Sequence, residues 1–129
     1  TQRFTLKAMD YFNVQEAARE TGLSAHTLRC YERIGLLETR RNESGHRRYS
    51  EGDLGWLRVL QCLRDTGMPI QTMQRYARLV QEKAPPRRMQ ELLEAHREEV
   101  LANLERQKEY LKVIERKIAA YQSHDRCKE

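Results

Sequence analysis

Residues 22–50 read GLSAHTLRCYERIGLLETRRNESGHRRYS, and this stretch decides the architecture of the chain. Ser24 is placed to cap a helix that runs to about Ile34 and stops at Gly35. Just upstream, Asn13 with Glu16 gives a capping-box start to a helix over residues 14–21, and Gly22 closes it. Two short helices joined by a tight, glycine-containing turn form the helix-turn-helix pattern. Val14, Ala17 and Ala18 share one face of the first helix, where Leu28 and Tyr31 of the second can meet them, and Leu36 and Leu37 close a small core. Ala25, His26 and Arg29 are left outward near the start of the second helix, the end that enters the major groove when this pattern reads DNA.

Glu38–Arg41 and His46–Tyr49 then flank Asn42-Glu43-Ser44-Gly45, a turn-forming tetrapeptide that predicts a hairpin. Arg40, Arg41, Arg47 and Arg48 sit on its arms. A two-stranded hairpin has little core of its own. Four arginines there point to an anionic surface more than to packing, although a merely solvated basic hairpin is the plainer alternative. Together these elements read as a winged helix-turn-helix.

Farther along, Ser50 with Asp53 opens a helix over about 51–66, with Leu54, Trp56, Leu57, Val59, Leu60 and Leu63 as its apolar face. Gly67 ends it. Pro69 starts another helix reaching about Glu82, with Ile70, Met73, Ala77 and Val80 expected inward. This helical pair would brace the head from behind. Lys83-Ala84-Pro85-Pro86 breaks the chain.

From Arg87 to about Gln122 neither glycine nor proline occurs. Met89, Leu93, His96, Val100, Leu104, Gln107, Leu111, Ile114, Ile118 and Tyr121 recur at steps of three and four, with a stutter around Val100. At about 1.5 Å per residue the helix would be roughly 50 Å long. A stripe of that length outruns a small head. A second copy is expected to cover it, in a coiled-coil homodimer. Met89, Leu93, Val100, Leu104, Leu111, Ile114, Ile118 and Tyr121 are the expected dimerisation residues.

Composition agrees with a mainly α protein. The chain has 129 residues, 33% of them charged, a formal net charge of +5, and only three prolines and six glycines. No stretch approaches the roughly 18 apolar residues of a membrane-spanning helix, and no apolar leader follows the N-terminus, so a cytoplasmic location is expected. The positive charge permits a nucleic-acid partner without demanding one. Three widely spaced cysteines, Cys30, Cys62 and Cys127, suit reduced thiols better than a disulfide framework.

Thr27-Leu28-Arg29-x-Tyr31-Glu32-Arg33-Ile34-Gly35-Leu36-Leu37, followed by Ser44-Gly45-x-Arg47-Arg48-Tyr49-Ser50, closely resembles the reading head of MerR-type transcription regulators. The order of head, helical pair and long helix resembles that family too, from Asp10 onward. The domain plan is then a tail or vector remnant over 1–9 and a winged helix-turn-helix domain over 10–82. Within that domain the helix-turn-helix spans about 14–33 and the wing about 38–49. A linker over 83–86, a dimerisation helix over 87–122 and a flexible tail over 123–129 complete it. Cys30 and His46 depart from the family pattern, standing where aromatic residues are common.

The resemblance implies a homodimer, paired through an antiparallel coiled coil, on a near-palindromic promoter spacer, distorting double-stranded DNA so that RNA polymerase sees both promoter elements on one face. By position it places Arg29, Tyr31, Arg47 and Arg48 at phosphates and His26 near base edges. Ser24, Thr27, Arg40, Arg41 and His46 complete the candidate DNA-contacting set. Phosphate contacts set affinity and register, and deformation of the spacer sets activity. Leu36, Leu37 and Tyr49 fit the core better.

Metal-sensing members resemble one another in a Cys near the start of the long helix and a Cys pair at its far end. Residues 85–89 contain no Cys, and His124 with Cys127 do not make a closed thiolate site, so neither metal nor cofactor is expected. The stretch around Cys62 resembles the aldehyde- and electrophile-responsive (NmlR/AdhR-like) branch, in which a lone Cys here is the proposed sensor. Arg58 lies one turn before Cys62, where a guanidinium would favour thiolate. A Cys packed at a helix junction is the alternative.

Other function classes find less support. The chain shows no nucleophile elbow and no P-loop, and its four His residues are dispersed, so an enzyme is not expected. A coiled-coil scaffold with an incidental basic head, or a regulator answering a non-covalent ligand, remain the competing readings.

Overall fold

Seven elements follow one another in a computed structural model that describes residues 11–128. They are α1 (Val14–Thr21), α2 (Ala25–Arg33), β1 (Arg40–Arg41), β2 (Arg47–Arg48), α3 (Glu51–Asp65), α4 (Ile70–Gln81) and α5 (Pro86–Lys128). Residues 1–9, expected as a tail or vector remnant, lie outside the described residues. The chain divides into two compact units after Met89.

Local chemistry sets the boundaries in the first unit. Asn13 Oδ1 accepts from the Glu16 N–H at 2.8 Å while Glu16 Oε1 accepts from the Asn13 N–H at 2.9 Å, so α1 opens on a reciprocal capping box. Ser50 and Asp53 repeat the device for α3 at 3.1 and 2.9 Å. Gly22 ends α1 with φ +77°, a left-handed conformation that glycine adopts without steric cost, and its N–H reaches the Ala18 carbonyl at 2.8 Å.

α1 packs on α2 and on α3, and α3 packs on α4. Their shared core holds Ala17, Leu28, Leu36, Tyr49, Leu54, Leu57, Leu60, Met73 and Ala77, all fully buried. Two expectations need correction. Val59 is exposed, so the apolar face of α3 is narrower than its run of large residues suggests. In α4, Ile70 and Val80 are 46% and 37% exposed, and Leu79 is buried in place of Val80. At about 100° per residue Leu79 lies well off the Met73–Ala77 stripe, so α4 is covered on a second flank and not only along the single stripe expected.

The sheet is the hairpin β1–β2, antiparallel, with Arg40 opposite Arg48 and Arg41 opposite Arg47. Phe12 joins beside it through an antiparallel bridge to Tyr49, with N–H···O distances of 2.7 and 2.8 Å. The lead-in and the end of the wing are thereby tied backbone to backbone at Tyr49, whose side chain is buried.

α5 is one helix of 43 residues, about 65 Å at 1.5 Å per residue. It begins at Pro86, inside the expected linker, and continues past Gln122 to Lys128, through most of the segment expected as a tail. Along it Met89, Leu93 and Val100 are partly covered, while Leu104, Leu111, Ile114, Ile118 and Tyr121 expose half or more of their surface. Leu101, Tyr110 and Val113 are similarly exposed.

Candidate nucleic-acid interface

The turn of the wing is built by Asn42. Its Oδ1 accepts from the N–H groups of Ser44 at 2.9 Å and His46 at 3.0 Å, and its own N–H donates to the His46 carbonyl at 2.8 Å. Gly45 takes φ +85° there, and Arg41 donates to its carbonyl at 3.0 Å. The turn falls where it is expected from sequence, but the strands are shorter than the expected arms of 38–41 and 46–49, so the connection runs from Asn42 through His46.

Directly opposite residues of an antiparallel pair share a face, so the four arginines sort into two pairs. On one face are Arg40 and Arg48. Arg40 donates to the Tyr11 hydroxyl at 3.3 Å, and the Arg48 guanidinium carbon lies 4.3 Å from the centre of the Tyr11 ring. On the other are Arg41 and Arg47, which meet Glu32 of α2. Glu32 accepts a hydrogen bond from Arg47 Nε, accepts another from the Thr39 hydroxyl at 2.5 Å, and lies 3.8 Å from Arg41. Burial opposes ionisation of this carboxyl. The hydrogen bonds from Thr39 and Arg47 and the charges of Arg47 and Arg41 outweigh it, holding the pKa below the ordinary glutamate value.

Between α2 and the wing lies a cleft of about 310 Å³ lined by His26, Arg29, Glu32, Arg33, Arg41 and Arg47. His26 and Arg29 are exposed, as a reading helix requires. Arg33 follows Arg29 by one turn on the same side of α2. Sequence reasoning omitted it, although the i,i+4 spacing was there to read. A second hollow of about 660 Å³ runs between the first turn of α1 and the wing, past His46 and Arg48.

Other expected contact residues have roles within the fold. Ser24 and Thr27 build the α2 cap. The Thr27 N–H donates to Ser24 Oγ at 3.0 Å, and the two hydroxyls are hydrogen-bonded at 2.9 Å. Tyr31, expected at the phosphates, is 4% exposed, and its hydroxyl is buried with no well-formed hydrogen bond among the described residues. It faces the core, beside Arg64 at the end of α3, because it lies three residues after Leu28 on the same buried side of α2. Burial raises its pKa, with the Arg64 charge opposing. Tyr49 is likewise fully buried and raised by burial.

The helical pair holds this head from behind. Trp56 of α3 stacks on Tyr76 of α4 with ring centres 5.5 Å apart. Gln74 and Gln81 of α4 donate to the carbonyls of Ile34 at 2.9 Å and Gly35 at 3.4 Å, at the C-terminal end of α2. Arg58, the expected companion of Cys62, donates to the Glu20 carbonyl at 3.3 Å, near the end of α1. Cys62 is exposed on α3 and Cys30 is partly buried on α2, both as free thiols. Among the described residues no group of three or more His, Cys, Asp or Glu side chains is arranged to hold a metal ion. No helix among them is long and apolar enough to cross a membrane.

Comparison with known proteins follows the same lines. The family model described as MerR HTH family regulatory protein matches residues 12–80. An uncharacterised HTH-type transcriptional regulator of Haemophilus influenzae is 37% identical over 114 residues, covering 86% of this chain and 84% of that protein. The HTH-type transcriptional regulator AdhR of Bacillus subtilis is 39% identical over 71 residues, covering 54% of this chain and 51% of its own length. Among solved structures, HiNmlR, a MerR family regulator lacking the sensor domain and bound to promoter DNA, superposes with a TM-score of 0.81. The two are 35% identical, over 88% of this chain and 91% of that one.

Proposed function

The chain belongs to the MerR family of DNA-binding transcription regulators, and from that premise we propose that it binds a promoter spacer as a homodimer, distorting the DNA to switch transcription. The observation that carries this reading is the cleft between α2 and the wing, where His26, Arg29, Arg33, Arg41 and Arg47 surround the single carboxylate of Glu32. A cleft of that charge, beside a helix whose first turn is exposed, suits a phosphate backbone alongside a major groove. The likeness to a relative crystallised on promoter DNA supports the same reading. The half-exposed apolar residues of α5, from Leu101 to Tyr121, support pairing with a second copy. RNA polymerase would read the distorted spacer.

Aldehydes or other electrophiles are the proposed signal and Cys62 the proposed sensor. Its exposure supports access. The Cys62 thiolate would add to an aldehyde carbonyl carbon, and the resulting alkoxide would take a proton from water to give a hemithioacetal. The Arg58 guanidinium is directed to the Glu20 carbonyl, which withdraws one support for a Cys62 thiolate and leaves a non-covalent ligand as the second reading.

Two measurements test the proposal. Fluorescence anisotropy with the duplex upstream of the coding region and a scrambled duplex should show a clear preference for the first, and equal binding would refute sequence-specific regulation. Transcription in vitro with the Cys62→Ser protein should lose its response to formaldehyde. Undiminished induction would remove Cys62 as sensor and favour the non-covalent ligand.

A further inference from the structure

Every cation of the cleft between α2 and the wing could in principle meet a phosphate, yet the cleft contains a carboxylate, at a cost to its attraction for a polyanion. Glu32 is placed there by α2, one position before Arg33 and one turn after Leu28, whose burial fixes the helix phase. Its oxygens are taken up across the cleft by Arg47 Nε and the Thr39 hydroxyl, from the wing and from the segment leading into it. Nothing else in the described wing ties β2 to α2 through side chains as directly. The bond to Arg47 uses Nε and so leaves both terminal guanidinium nitrogens to other acceptors.

Resting on the DNA-binding reading above, we infer that Glu32 is a specificity-determining residue. Its charge lowers sequence-independent attraction, and its bond to Arg47 fixes where the wing can meet the backbone relative to the reading helix. A free arginine on a long side chain can reach phosphates in several registers. An arginine held at Nε reaches them in few. Affinity for DNA of any sequence is thereby exchanged for discrimination.

The test uses the full chain, the duplex upstream of its coding region and a scrambled duplex, each titrated across a series of salt concentrations. Glu32→Gln keeps the shape of the side chain and removes the charge. The scrambled duplex should bind several-fold tighter, with a salt slope steeper by about 0.9, the increment expected for one further neutralised phosphate. Preference for the upstream duplex should fall about tenfold. Thr39→Val, which removes a hydroxyl donor and no charge, should leave the slope unchanged. The double variant Glu32→Gln/Arg47→Gln restores the net charge of the cleft and removes both partners together, which keeps the test available if the single variant does not fold. It should show a wild-type slope and a lost preference. Unchanged slope and preference in Glu32→Gln, or retained preference in the double variant, would overturn the inference while leaving the DNA-binding reading intact. A wild-type chain that shows no preference overturns both.

Discussion

The indole N–H of Trp56 donates to the carbonyl oxygen of Leu36 at 2.8 Å, linking α3 to the chain just beyond the reading helix. With the Gln74 and Gln81 contacts to Ile34 and Gly35, three side chains of the helical pair satisfy consecutive carbonyls where α2 ends. Those groups have no partner within the helix, and leaving one buried and unmet costs about 1–3 kcal/mol. Trp56→Phe is therefore expected to lower stability by about that amount, as read from urea denaturation. An unchanged midpoint would show that water replaces the indole at no cost.

Tyr31 and Arg29 are separated by one residue on α2 and should behave oppositely. Tyr31→Phe removes a buried hydroxyl that has no well-formed hydrogen bond, so stability should stay level or rise and DNA affinity should change less than twofold, by about the uncertainty of such a measurement. Arg29→Ala should weaken binding to all sequences and make the salt slope shallower by about 0.9. A large affinity loss in Tyr31→Phe, measured by anisotropy, would return Tyr31 to the DNA surface.

That pair shows how far the residues alone could be read. The caps were legible because Asn13/Glu16, Ser24 and Ser50/Asp53 act within one helical turn, where sequence distance and spatial distance coincide. The wing turn was legible for the same reason. Helical phase set Tyr31 beside Leu28, whereas the family resemblance set it at the phosphates, and the fold follows the phase. Glu32 was missed because its partners lie seven and fifteen positions away, and within Tyr31-Glu32-Arg33 it reads as one more solvated charge.

Acid stability should report on Glu32. A carboxyl whose folded pKa is depressed adds stability that is fully present above the ordinary glutamate value, and loses it as pH falls through the lower folded value. The urea midpoint of the wild type should therefore exceed that of Glu32→Gln at neutral pH, and the two should converge as pH falls through the depressed folded value. A gap that does not vary with pH would mean that shape, not charge, is what Glu32 contributes.

Alkali should report on Tyr31 and Tyr49, whose folded pKa values are raised by burial. Their contribution is complete below the ordinary tyrosine value of about 10 and is lost as pH rises toward the folded values. Ultraviolet titration should show these two phenols ionising above the ordinary tyrosine value, together with loss of helix signal. Ionisation of Tyr31 and Tyr49 at the ordinary value, with the helix signal intact, would contradict their burial.

Ile114 lies in the exposed apolar run of α5. Ile114→Lys should shift sedimentation from a dimer to a monomer at micromolar concentration, since a charge in a coiled-coil seam is unfavourable. A wild-type chain that sediments as a monomer would remove the dimer from the proposal.

The wing sets arginine against arginine on both of its rungs, Arg40 opposite Arg48 and Arg41 opposite Arg47. Like charges facing each other across a ladder are destabilising, so this hairpin is assembled on borrowed counter-charge, from Glu32 and the face of the Tyr11 ring. Its ordering is thus thermodynamically linked to polyanion binding. A duplex should slow hydrogen exchange at Asn42 and His46 more than at the amides of α3, making the wing a segment whose own folding equilibrium records occupancy.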